Sequence, residues 1–157
     1  ADGAADPARP PAAADGAAGG PMIGGMLAGV RVLVVDDEPD ARELVGVVLR
    51  KQGAEVVEAA SAAEASDLLA ARRFDVLISD VGMPGEDGLS LIRRVRRMPS
   101  DTGGGIPAAA LTAFARDADR TRVLEAGFQM HISKPVAPTA LAAAVARLAG
   151  RPDPEAA

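Results

Sequence analysis

The 157-residue chain contains no cysteine. That absence removes disulfides, thiolate metal ligands and thiol nucleophiles together, and it fits a reducing compartment. A basic surplus is also lacking: 17 Lys plus Arg stand against 22 Asp plus Glu, so there is no electrostatic footprint for nucleic acid. No apolar stretch reaches the roughly 20 residues a membrane-spanning helix needs, because Met22 to Val35 is broken by glycines and Arg31. A secretory signal needs a basic start and an apolar core, and the first 29 residues, mostly Ala, Pro, Gly and Asp, have neither. The single histidine, His131, gives no ground for an imidazole metal site. These exclusions predict a soluble, cytoplasmic protein without direct contact to nucleic acid or membrane.

With 48% apolar residues the chain can bury one ordinary core, and its length favours one domain. Residues 1–29 lack the apolar content to offset ordering entropy and are predicted to be a disordered linker or tail. Residues 30–150 are predicted to fold, and 151–157 to form a short C-terminal tail. Strands are expected at Val32–Asp36, Ala54–Glu58, Phe74–Ser79, Ile106–Thr112 and Phe128–Ser133. The first helix should start at Pro39 and turn Ala41, Leu44, Val45, Val48 and Leu49 to one apolar side before Gly53. Ser61 and Glu64 form a capping-box pattern ahead of Ala65, Leu68 and Leu69. Leu89–Met98 should bury Leu91, Ile92 and Val95, with Arg93, Arg94, Arg96 and Arg97 on a solvated face. A polar helix is expected over Arg116–Ala126, and a last one from Pro138 that lines up Leu141, Ala144, Val145 and Leu148 before Gly150. Five strands alternating with five helices predict an α/β fold, a doubly wound five-stranded parallel sheet with helices on both faces.

In such sheets ligands sit outside the carboxyl ends of the strands, at the switch point where strand order reverses. Asp36-Asp37 ends the first strand, Asp80 the third, and Lys134-Pro135 follows the fifth. Side by side and parallel, these strands would bring several carboxylates and one ammonium to one edge, an arrangement suited to a divalent cation and a phosphoryl group. Taken alone, Asp36-Asp37-Glu38 would only complement a helix N-terminus; joined to Asp80 and Lys134 it points to a site.

Four elements in this order and spacing, Val-Val-Asp36-Asp37-Glu38-Pro39, Ser79-Asp80-Val81-Gly82-Met83-Pro84 with Asp87-Gly88, Leu111-Thr112-Ala113-Phe114, and Lys134-Pro135, resemble the receiver domain of the two-component response-regulator family. The stretch from Ala126 to Pro135 further resembles receivers at the C-terminal end of hybrid histidine kinases, whose linker the Ala/Pro/Gly-rich leader would be. The resemblance implies a flavodoxin-like strand order, 2-1-3-4-5, and a phosphoacceptor at Asp80 fed by phosphohistidine or a small acyl phosphate. It implies Mg²⁺, or Mn²⁺ in its place, on Asp37, Asp80 and the Gly82 carbonyl, with Asp36 acting mainly through water. Lys134 would neutralise the phosphoryl oxygens across a cis Lys134-Pro135 bond. Thr112 and His131 would form the switch pair that shifts the face of the fourth helix, fifth strand and fifth helix. Expected partners are a histidine kinase, in cis or in trans, and a histidine phosphotransfer protein, with no output domain after the last helix.

Two other aspartate-bearing classes are disfavoured by particular residues. A haloacid-dehalogenase-like phosphatase needs a second aspartate two positions after its nucleophile, where this chain has Gly82. A flavodoxin-like cofactor binder needs a Ser/Thr/Gly phosphate loop after the first strand, where three acidic residues would repel a phosphate lacking a metal. A stand-alone single-domain regulator remains the alternative to the hybrid-kinase setting.

Overall fold

A computed structural model describes residues 27–83, 86–99, 103–113, 117–134 and 136–150. Its elements are β1 (Arg31–Val35), α1 (Pro39–Lys51), β2 (Glu55–Ala59), α2 (Ala62–Ala71), β3 (Val76–Asp80), α3 (Gly88–Arg96), β4 (Ala108–Thr112), α4 (Asp117–Ala126), β5 (Met130–Ser133) and α5 (Pro138–Leu148). All strand pairs are parallel, as the alternation of strands and helices predicted, and the sheet order is β2-β1-β3-β4-β5, as the family resemblance implied. The order reverses between β1 and β3, so the switch point lies where Asp36 and Asp80 emerge.

Strands buried on both faces read as continuous apolar runs, and Val32 to Val35 are fully buried. Alternation still divides them. Val32, Val34, Ile78 and Leu111 face α1 and α5, while Leu33, Val35, Leu77 and Ala110 face α2, α3 and α4. The helix starts follow local chemistry. Pro39 opens α1. Ser61 Oγ accepts the Glu64 N–H at 3.1 Å and the Glu64 carboxylate accepts the Ala60 N–H at 2.8 Å, a capping box whose return arm lands one residue before the cap. Asp87 caps α3 by accepting the Ser90 N–H at 2.9 Å.

Several expectations are corrected. Leu27, assigned by sequence to the linker, is fully buried and donates its N–H to the Gln52 carbonyl at 2.9 Å, so the packed body begins before residue 30. Leu44 is 58% exposed, because α1 offers a wider apolar arc than the sheet covers; Val45 and Leu49 take the buried line. β3 starts at Val76 instead of Phe74, since Asp75 is occupied at the strand entrance: its N–H bonds the Arg31 carbonyl and its carboxylate accepts the Arg31 N–H at 2.8 Å.

Arg96 does not belong to a solvated face. Its guanidinium donates to the Gly127 carbonyl (3.0 Å), the Gly104 carbonyl (2.9 Å) and Gln129 Oε1 (3.1 Å), and Gln129 Oε1 also accepts the Ala108 N–H at 2.7 Å. Burial lowers its pKa. Gly127 sits at φ 131°, and a Cβ there would lie 2.9 Å from Arg96 Cγ, so glycine is needed for both conformation and approach. The linker over 1–26, the cis Lys134-Pro135 bond and the 151–157 tail lie outside the described residues.

Truncating Leu27 to Ala should cost about 2–5 kcal/mol, the range for a buried leucine, read as a lower urea midpoint with an unchanged slope. A change below about 0.5 kcal/mol, typical of surface positions, would place Leu27 in the linker after all.

Candidate functional site

Parallel register brings the strand ends level. Val35 pairs with Ser79, Asp80 with Leu111, and Thr112 with Ser133, so the next residues of β1 and β5, Asp36 and Lys134, reach the same edge as Asp80 and Thr112. Lys134 is held there by its own N–H, which donates to the Thr112 carbonyl at 2.8 Å. Its Nζ lies 2.9 Å from Asp80 Oδ1 and 3.7 Å from Asp36 Oδ2. Carboxylate oxygens of Asp36, Asp37 and Asp80 can all lie within 4.8 Å of one another. Three carboxylates thus share one ammonium.

Their surroundings differ. Asp36 is fully buried and Asp80 nearly so, whereas Asp37 is exposed. Asp36 Oδ1 accepts the Glu38 N–H at 2.9 Å; Asp36 Oδ2 is buried without a hydrogen-bond partner. Desolvation raises the Asp36 pKa, the Glu38 N–H and Lys134 oppose the rise, and Asp80 and Asp37 add to it, for a net increase. For Lys134 burial favours the neutral amine, but the hydrogen bond and charge of Asp80, joined by the charge of Asp36, outweigh it and its pKa is raised. The orphaned Asp36 oxygen and the crowded hard oxygen donors fit a small divalent cation.

Two backbone features aim the cluster. The Val81 N–H bonds the Leu111 carbonyl at 3.0 Å, and the Gly88 N–H returns to the Val81 carbonyl at 3.1 Å. A Cβ on Gly88 would collide with the Asp80 carbonyl oxygen and lie 3.0 Å from Val81 Cα; only glycine lets the loop close over the end of β3. Arg42, which sequence reasoning did not single out, donates to the Asp36 carbonyl at 2.7 Å and to Glu58 Oε1 at 3.2 Å, tying the end of β1 to α1 and β2. Nothing in its spacing marks it among the polar residues of α1.

Gly82 is exposed, with no atom within 4 Å of where a Cβ would stand. Thr112 is buried and lines a cavity of about 280 Å³ with Val81, Gly82, Met83, Asp87 and Arg122. His131 stands apart from the carboxylates: it is half-buried on β5, opposite Ala110, and lines a groove of about 530 Å³ between β5 and α5. A larger cavity of about 630 Å³, with Arg72, Phe74, Gly103 and Ile106 on its walls, lies at the other end of the strands, away from this chemistry. No helix among the described residues is long and apolar enough to cross a membrane.

A doubly wound parallel sheet with an acidic cluster and one lysine at its switch point defines the class. The chain belongs to the response regulator receiver domain family, whose pattern matches residues 32–146, and is a receiver domain of two-component signalling. It is 46% identical over 114 residues to an uncharacterized 14.6 kDa protein of Leptolyngbya boryana, covering 73% of this chain and 86% of that one. It is 35% identical to the phosphate regulon transcriptional regulatory protein PhoB of Pseudomonas aeruginosa over 82% of this chain, but spans only 56% of that protein's length. Among solved structures it resembles a putative response regulator from Chloroflexus aurantiacus (TM-score 0.73, 35% identity, 78% of this chain and 98% of that one). It also resembles the signal receiver domain of a histidine kinase from Syntrophus aciditrophicus (TM-score 0.70, 33% identity, 77% and 90%).

A carboxyl whose folded pKa is raised binds its proton more tightly when folded, so the stability it lends is lost as pH rises through that folded value, above 3.8. Lys134, also raised, lends stability that persists below 10.5 and is lost only as alkaline pH passes its folded value. Asp36→Asn retains the acceptor for Glu38 and removes the buried charge. In chelator at pH 7 it should be more stable than wild type by about 1 kcal/mol or more, with a weaker decline in stability from pH 4 upward. Urea titration at several pH values would check this, and a destabilised variant would contradict the electrostatic reading.

Proposed function

We propose that this domain is a phosphoacceptor that takes a phosphoryl group from phosphohistidine onto Asp80. The observation that carries the reading is the contact of Lys134 Nζ with Asp80 Oδ1 at 2.9 Å, beside Asp36 and Asp37. A carboxylate oxygen of Asp80 attacks phosphorus; the P–N bond of the donor breaks, its electron pair returns to the imidazole, and the ring takes up a proton. Positioning and charge neutralisation dominate such transfers. Lys134 already stands where the arriving oxygens need a counter-charge, and its raised pKa keeps it an ammonium throughout the physiological range.

Asp36, Asp37, Asp80 and the Gly82 carbonyl would hold Mg²⁺, or Mn²⁺ in its place. When bound, the cation supplies charge neutralisation for the carboxylates and the phosphoryl oxygens. Thr112 then donates its hydroxyl to the phosphoryl group. His131, on the neighbouring strand, responds to the threonine, and the face of α4, β5 and α5 shifts between two populations. Open space around Gly82 leaves water a path to the aspartyl phosphate.

The partners are a histidine kinase and a histidine phosphotransfer protein. Likeness to the receiver of the Syntrophus histidine kinase supports a hybrid-kinase setting. Likeness to the small Leptolyngbya protein, most of whose length the chain covers, supports a stand-alone regulator acting through protein contacts.

Intact mass after incubation with Mg²⁺ and acetyl phosphate tests the proposal. Wild type should gain one phosphoryl group and Asp80→Asn none. Lys134→Ala should remain folded by circular dichroism yet react about a hundredfold more slowly, the scale of losing one positioned charge donor. Phosphoryl addition to Asp80→Asn at the wild-type rate would place the acceptor elsewhere.

A further inference from the structure

Phosphorylating Asp80 changes the electrostatics of the site in a fixed direction. A monoanionic carboxylate becomes an acyl phosphate whose phosphoryl group carries a charge of about −1.5 to −2. The cluster therefore gains up to one negative charge whatever else neutralises it, and Lys134 is the cation that pairs with the carboxylates of Asp80 and Asp36, Arg42 being spent on the Asp36 backbone carbonyl. A further cation within reach would select for the phosphorylated state.

The cavity of about 280 Å³ that Thr112 lines holds a candidate. It is lined by Val81 and Gly82, which follow Asp80 directly in the chain, by Thr112 of β4, and by Arg122 and Val123 of α4. Arg122 is the sole cation among its lining residues, and Asp87 the sole anion; Asp87 Oδ1 is already engaged in capping α3. Gly82 places no side chain between the cavity and solvent. Val123 is buried against the core, which fixes the orientation of this turn of α4, while Arg122 itself is exposed. Its guanidinium can change partners without disturbing the packing beneath it.

We propose that Arg122 is a second phosphoryl-binding cation, which engages the phosphorylated Asp80 from the α4 side of this cavity and couples its charge directly to α4. This deepens the phosphoacceptor reading and rests on it. Lys134 then meets the charge from the β5 side and Arg122 from the α4 side. A guanidinium fork suits this task because it can donate two parallel N–H bonds to phosphoryl oxygens. The coupling to α4 would act beside, and independently of, the Thr112 and His131 pair.

Beryllium trifluoride is the test probe, since on a carboxylate it forms a tetrahedral dianionic adduct that mimics the acyl phosphate without turnover. Its binding in the presence of Mg²⁺ would be followed by ¹⁹F NMR, and amide hydrogen exchange would be read across Arg120–Ala126. Wild type should bind the probe with slowed exchange in α4. Arg122→Gln should bind about threefold to tenfold more weakly, the range for a charge-assisted contact discounted for exposure, and should lose the slowing. Arg122→Lys should recover part of both. Equal affinity and equal protection in wild type and Arg122→Gln, or a loss in Arg122→Lys as large as in Arg122→Gln, would overturn the role of this charge. Failure of wild type itself to bind the probe would overturn the phosphoacceptor reading and this inference with it, a result distinct from a variant that matches a binding-competent wild type.

Discussion

The ammonium of Lys134, 2.9 Å from Asp80 and 3.7 Å from Asp36, is the one charge that allows three carboxylates to be gathered at the ends of β1 and β3. Desolvating carboxylates side by side is costly in a medium of low dielectric, and the cost is visible in the raised pKa of Asp36 and in its buried Oδ2, which accepts no hydrogen bond. A fold selected for stability alone would place asparagine or serine there. The strain is local, and it is held by the rest of the domain: a sheet whose parallel register levels the strand ends, and two helical layers that leave the strands no freedom to retreat.

That holding structure has identifiable parts. Arg42 fastens the end of β1 through the Asp36 carbonyl. Gly88 lets the loop after β3 close against the Asp80 backbone, where any Cβ would collide. The Lys134 N–H bonds Thr112, so the cation and the buried hydroxyl travel together. At the far end Arg96 joins the loop before β4 to the turn between α4 and β5 through three acceptors. One end of α4 is therefore pinned by a half-buried guanidinium, while its middle turn borders the cavity beside Thr112. A helix anchored at one end, with its middle turn on the cavity that Thr112 lines, could convert a change of charge at the proposed phosphoacceptor into a change of orientation.

Much of this was legible in the sequence because the signals were redundant. Val32 to Val35 is apolar without interruption, Pro39 and Gly53 bracket a helix, and Ser61 with Glu64 marks another, so element order and sheet class followed from local chemistry. Even β4, whose Ala108-Ala109-Ala110 run favours helix by propensity, read as a strand between glycines and Thr112. The acidic and basic strand ends were legible because residue type and position agreed. What escaped was tertiary. Whether Leu44 or Val45 is buried depends on how α1 rolls on the sheet. Arg96 is polar in composition and structural in use, Leu27 packs from within a stretch of low-complexity composition, and Arg42 acts on a backbone carbonyl that no pattern of side chains announces.

Charge crowding makes the most direct demand on experiment through stability. If the cluster is strained because three carboxylates share one lysine, a divalent cation that binds the folded state should relieve it and raise the unfolding temperature by mass action. Thermal unfolding followed by circular dichroism, with Mg²⁺ titrated against chelator, would measure this for wild type and Asp37→Ala. The expected result is a rise of about 5–10 °C for wild type when Mg²⁺ is a hundredfold above its dissociation constant, with little change for Asp37→Ala. An unfolding temperature indifferent to Mg²⁺ in wild type, or one that rises equally in both proteins, would contradict the assignment of this cluster as a cation-dependent site.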